Sequence, residues 1–319
     1  MVHQFIKLGT GCSLLNNRLS HSYGFIYRRY HWVYRNGEEG YDENEIESRF
    51  TSLSPGGSID LKLGEVSVVT INNPEKRNAL TGNMLVEMRN VVKQLWKSKT
   101  TKAVVLCGKG DAFCSGLDFG LATQLTEPQD GTNMCMYMQN TMTLFQLLPC
   151  ITVAAIKGGA LGGGAEVATA ADYRLMFPDS MIQFVHKKMG IIPGWGGVSR
   201  LRDIVGSRKT MHLLASSMQI DCKSSLLIGL ADALVSETDE EDLSTSDVAE
   251  KWLEQTFKLC ETDASVLRAI KAASYDSTME NNRTLPLFFK LKREKDILSS
   301  VWGRTANKKA LNKVRMKNS

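Results

Sequence analysis

Five of the nine residues in "GGALGGGAE" (158–166) are glycine, and the apolar run "ITVAAI" (151–156) leads into them. Backbone without side chains at the start of a helix offers bare N–H groups, and the helix dipole favours negative charge there. A phosphate or a developing oxyanion would fit. The spacing argues against phosphate. No GxxxxGK[ST] string occurs, and Gly162 and Gly164 begin a GxGxxG pattern that fails at Val167. An acidic residue is expected about twenty positions further on, where the chain has His186. Nucleophilic acyl chemistry needs a histidine beside its nucleophile. Of the five histidines, His3, His21 and His31 lie in the N-terminal head and His212 in an amphipathic segment. Only His186 follows a strand-like run, and no GxSxG accompanies it. No cluster of metal ligands is evident. What remains is a backbone oxyanion hole, which needs a second donor. The candidate is "AFCSGLD" (112–118), a turn after another apolar strand.

The elements that must carry these turns are legible in the periodicity. "VSVVTI" (66–71) alternates as a strand and ends at Pro74; "KAVVLCG" and "ITVAAI" are short buried strands; "YRLMF" and "MIQFV" flank a "PDS" turn. "TGNMLVEMRNVVKQLW" has apolar residues at 84, 88, 91, 92 and 95, a helical stripe with Thr81 as N-cap. The Met-rich "NMCMYMQNTMTLFQLL" reads as a core helix. "GGVSRLRDIVG" and "SRKTMHLLASS" read as helices, as do stretches near 245–260 and 280–300, with "ETDEEDLSTSD" (237–247) an acidic loop. This is α/β organisation: an N-terminal extension over 1–55, a core over 56–260 and a helical region over 261–319.

The net charge of +5 comes from residues 1–35, which hold five basic residues and no acidic one; the rest carries 34 of each sign. A general nucleic-acid surface is therefore not implied. The basic head reads either as an organelle transit segment or as a disordered tail. The acidic "NGEEGYDENEIE" (36–47) reads as a solvated linker. Seven cysteines without CxxC spacing fit a reducing compartment. No run of 18 apolar residues suggests a membrane span.

"NPEKRNALT" (73–81), "GDAFCSGLDF" (110–119), "GGALGGGAEVATAADYRL" (158–175) and "MGIIPGWGGVSRL" (189–201) resemble, in this order and spacing, the crotonase (enoyl-CoA hydratase/isomerase) superfamily over about residues 58–310. The resemblance implies a spiral of ββα units with a C-terminal helical trimerisation region, a homotrimer or dimer of trimers, and an acyl-CoA thioester substrate. CoA would be part of that substrate, with no other cofactor. The implied oxyanion donors are the N–H groups of Leu117 and Gly163. Leu117 is larger than the alanine usual there, which would narrow the pocket. Lys76, Arg77, Ala79, Ser115, Asp118 and Trp195 fall at substrate-binding positions. For Lys76 and Arg77 the alternative is an exposed charge pair, and for Trp195 a core role.

Hydratases of that superfamily pair two glutamates. Glu166 matches the first, and His186 stands at the second. Hydration is therefore in doubt. A malonyl-type thioester would explain the exchange. A second glutamate would repel its carboxylate by on the order of several kcal/mol in a poorly solvated site, whereas a histidine can donate to it. Decarboxylation then requires an enolate held by two N–H donors, each contributing about 2.7–4 kcal/mol in the transition state, and a proton from Glu166 or His186. No metal, biotin or PLP is needed. "FVHKKMGIIPGWGG", "VWGRTAN" and "PGGSIDL" resemble decarboxylating members of the superfamily, which points to the cytosol, while the head points to mitochondria. The competing readings are a hydratase or isomerase of the same fold and a non-enzymatic RNA-binding relative.

Overall fold

The computed structural model describes residues 33–236, 243–276 and 284–318. Its main sheet has six strands in the order β1-β2-β3-β4-β6-β9: Ser58–Lys62, Val66–Asn72, Ala103–Gly108, Ile151–Ile156, Tyr173–Met176 and Ala233–Leu234. Only β1 and β2 pair antiparallel; the other neighbours are parallel. A three-stranded sheet, β5-β7-β8 (Gly159–Leu161, Met181–Gln183, Gln219–Asp221), lies beyond it. The chain thus leaves a main strand, makes a short strand or bridge in the second layer, and enters a helix, as the ββα expectation requires.

β3 and β4 are apolar on both faces, apart from Thr152, because both faces of the main sheet are covered. Val104, Leu106, Ala154 and Ile156 join one core, shared with helices α2 (Gly82–Lys97) and α3 (Pro128–Gln146). Ala103, Val105, Val153 and Ala155 face the other way, into a second core with Val248, Leu253 and Leu267. Alternate residues of one strand therefore feed two cores. Thr81 caps α2 by accepting from Met84 N–H, as its sequence suggests.

The N-terminal expectation needs correcting. Residues 36–47 are not a solvated linker, and the extension drawn to residue 55 includes part of the core. Tyr34, Tyr41 and Phe50 are at most 1 % exposed. Glu43–Leu53 forms a helix, α1, capped by Asp42. Glu43 is paired at 2.9 Å with the fully buried Arg89 and at 2.8 Å with Lys93. A Cβ on Gly82 would collide with the Phe50 carbonyl, so this glycine lets α1 cross the start of α2. Residues 1–32 and 237–242, where the basic head and most of the acidic loop fall, lie outside the described residues; Ser244 caps helix Thr245–Phe257. Helices Ala264–Asp276 and Thr305–Asn318 fall within the expected helical region over 261–319, although the periodicity singled out only a stretch near 280–300 there. No described helix is long and apolar enough to cross a membrane.

Truncating Phe50 tests this N-terminal packing. Phe50→Ala is expected to destabilise the protein by about 3–5 kcal/mol, read as a lowered denaturant midpoint, where a linker residue would change it by less than about 0.5 kcal/mol.

Candidate active site

Two turns build the centre of the site. After β3 the chain passes through Cys114–Leu117, and after β4 through Gly158–Gly164. Backbone hydrogen bonds lace them together, with Cys114 N–H donating to Gly159 O and Leu161 N–H to Cys114 O. Leu80 N–H donates to Gly116 O and Asp118 N–H to Leu80 O, which fixes the peptide on either side of Leu117. Among the described residues neither the Leu117 nor the Gly163 N–H finds an acceptor. Gly163 opens a helix, α4 (Gly163–Ala168), so its N–H has no intrahelical partner.

The three glycines each answer a different demand. Gly162 sits at φ +53, where a side chain is strained. A Cβ on Gly163 would stand 2.4 Å from the Trp195 ring, and one on Gly164 2.1 Å from Cys114 O. Across the gap, a Cβ on Gly116 would be 3.0 Å from Gly163 N. The two expected donors therefore come from adjacent turns that only glycines allow to meet.

Glu166, in α4, is 1 % exposed. Its oxygens accept from the N–H groups of Gly194 (3.3 Å), Trp195 (2.7 Å) and Gly197 (2.9 Å), and lie 2.9 Å from His186 Nε2. An acceptor-only carboxylate places the proton of that last contact on His186. His186 is 7 % exposed, and its Nδ1 is buried without a partner among the described residues. Such an atom is costly unless a ligand meets it. Arg200, buried in helix α5 (Gly197–Val205), donates to the carbonyls of Glu166 and Trp195.

Ser115, Leu117, Gly163, Glu166, His186 and Trp195 line a cavity of about 210 Å³. Sequence reading missed its remaining walls: Phe119 and Met134 on one side, and Leu298, Trp302, Asn307 and Leu311 from the C-terminal helices α6 (Thr284–Val301) and α7 (Thr305–Asn318). Asn307 donates to Met189 O, just after His186, and a Cβ on Gly190 would strike the backbone at 306–307. The C-terminal helix thus clamps the turn that carries His186. The "VWGRTAN" string was the available signal.

Other expected site residues lie elsewhere. Asp118 does not line the cavity. It caps the turn at Phe119–Ala122 and accepts from Ser54 and Lys76. Lys76 pairs at 2.9 Å with the buried Asp118, and Arg77 is exposed beside it. Ala79 is buried outside the cavity, and its carbonyl accepts from Asn73. Among the described residues no group of three potential metal ligands occurs.

This fold is that of a known class. Residues 62–309 match the family model described as enoyl-CoA hydratase/isomerase, and the chain belongs to that family. It is 42 % identical over 278 residues to an ethylmalonyl-CoA decarboxylase of Gallus gallus, covering 86 % of this chain and 90 % of that one. The protein of the same name from Bos taurus is 38 % identical, covering 95 % and 94 %, and that from Homo sapiens 39 %, covering 86 % of each. In fold the chain is similar to an enoyl-CoA hydratase from Bacillus halodurans, with a TM-score of 0.69 and 21 % identity over 80 % of this chain and 99 % of that one. A putative enoyl-CoA hydratase from Thermobifida fusca, in complex with acetoacetyl-CoA, gives a TM-score of 0.61 and 22 % identity over 75 % and 92 %.

Two glycines of the same turn should respond differently to a methyl group. Gly164→Ala, which drives a Cβ into backbone, is expected to cost about 1–3 kcal/mol. Gly159→Ala, whose Cβ would meet only ordinary contacts from 3.6 Å, should stay within about 0.5 kcal/mol. Denaturant unfolding of the two variants compares them.

Proposed function

We propose that the protein decarboxylates short α-alkyl malonyl-CoA thioesters, ethylmalonyl-CoA first and methylmalonyl-CoA less well, releasing butyryl-CoA or propionyl-CoA. The observation that carries this reading is the buried, unpartnered Nδ1 of His186, a residue that lines the cavity, with Glu166 bonded to the other ring nitrogen. Protonated on both nitrogens, His186 spans Glu166 and the substrate's free carboxylate. The thioester oxygen lies between the N–H groups of Leu117 and Gly163. When the bond from the α-carbon to the carboxylate breaks, its electron pair passes to the thioester as an enolate, whose oxygen those donors hold, and CO2 leaves. One proton returns to the α-carbon.

The sequence left Glu166 and His186 as alternative proton donors. The geometry favours His186, because both oxygens of Glu166 are already taken up as acceptors. Glu166 then works as the carboxylate of a triad does, orienting the ring and balancing its charge. The names of the relatives from Gallus gallus and Bos taurus support the substrate. A hydratase would need a second carboxylate where His186 stands, so that reading is the weaker one.

Enolate chemistry of this kind asks for no metal or organic cofactor, and activity should survive a chelator. We take the chain to assemble as a trimer or a dimer of trimers, and to work in the cytosol as a metabolite-repair enzyme. Light scattering, and imaging with and without residues 1–35, address these points.

Ethylmalonyl-CoA incubated with the protein should lose the mass of CO2 to give butyryl-CoA, with crotonyl-CoA not hydrated; unchanged ethylmalonyl-CoA sinks the proposal. His186→Ala removes a hydrogen bond to a charged group, worth about 1.5–3 kcal/mol. It should lower kcat/KM by roughly 10- to 150-fold, while the affinity for butyryl-CoA, whose acyl group lacks the carboxylate, stays near that of the parent.

A further inference from the structure

The loop over 194–199 is held from two sides by carboxylates. Glu166 takes the N–H groups of Gly194, Trp195 and Gly197. Glu294, from α6, takes those of Gly196 (2.8 Å) and Ser199 (3.1 Å) and the Ser199 hydroxyl (3.0 Å). Both carboxylates are buried, and Arg200 is the cation whose charge reaches both. Two negative charges against one guanidinium leave an excess charge in a poorly solvated place.

Burial, and then the charge of Glu166, push the Glu294 carboxyl up to about 8; Arg200 and the bonds from Ser199 act the other way. A protonated Glu294 has an acceptor in the Ser199 hydroxyl, which can turn from donor to acceptor. The other groups around it are accounted for. Tyr34 and Cys135 feel its charge, and burial pushes both upward, so they stay neutral. Lys295 and Asp296 adjoin it on α6 and pair with each other. Arg202, Arg293 and Lys290, the last paired with Asp203, line the groove behind it. His186 lies beyond Glu166.

We propose that Glu294 is a positioning residue that sets the charge of the site: its carboxyl holds the Trp195 loop through Gly196 and Ser199, and when ionised it adds a second negative charge behind Glu166 that turns away an acyl group bearing a carboxylate. The anionic substrate is the malonyl thioester of the proposed function, and this inference rests on that reading. Glu294 does not touch the reacting atoms. It acts through the loop and through Glu166.

The test measures KM and kcat for ethylmalonyl-CoA across the neutral and alkaline range. In the parent protein KM should rise above pH about 8, approaching about tenfold per pH unit, while the affinity for butyryl-CoA stays flat. E294Q should abolish the rise. S199A, which removes a bond favouring the ionised form, should move the rise to higher pH. A second measurement needs no substrate. A carboxyl raised from 4.5 to about 8 in the folded state keeps a proton that the unfolded chain has released. The parent Tm should therefore fall as pH rises through that interval, and the fall should be smaller in E294Q. KM profiles that superimpose for parent and E294Q, or an unmoved profile in S199A, overturn the proposal. Equal pH slopes of Tm also overturn it, even if ethylmalonyl-CoA proves not to be the substrate. Unequal slopes without turnover would locate the failure in the substrate assignment.

Discussion

The structure depends on a contact in which no side chain takes part. The carbonyl of Cys114 and the α-carbon of Gly164 lie so close that a single methyl group would not fit between them. That approach brings the turn after β3 against the start of α4. It sets the amides of Leu117 and Gly163, the donors proposed above, by backbone alone. Donors fixed in this way do not reorganise when charge appears, which is what makes such groups effective in a water-poor site. It also explains how a leucine can stand at one of the two positions, since the donor is its amide and not its side chain.

Around that contact the charges are arranged in series. Glu166 feels the charge of Arg200 on one side and faces His186 on the other, while the loop amides bind its oxygens. A carboxylate this deeply committed to structure has lost the freedom to act as a general acid, although its place in the motif suggests one. In the proposed reaction, the carboxylate's exchange for His186 leaves Glu166 the work of orientation.

The strands and the two close-packed turns were legible because their signals are local. A continuous apolar run requires two covered faces, and β3 and β4 feed both cores. A glycine cluster requires a close approach, and one was found. What could not be read depended on partners distant in the chain. Tyr34 and Glu43 sit in polar sequence, and their burial rests on Gln139, Asn140 and Arg89. Glu294 lies in "KLKREKDIL", whose alternating charges look like a solvated helix face. Asp118 misled in the opposite sense: it stands inside a motif that carries chemistry, yet it caps a turn.

The clamp of Asn307 and Gly190 has a consequence for how the protein comes into being. The cavity draws its walls from Ser115 through Val314, and the C-terminal helix closes on the turn of His186. Both sheets and the oxyanion turns can form while the later helices are still being synthesised. The binding chamber cannot, because its last wall is made near the end of translation. A nascent chain can thus be well folded and still catalytically silent, and acyl-CoA capture begins only when synthesis is almost complete.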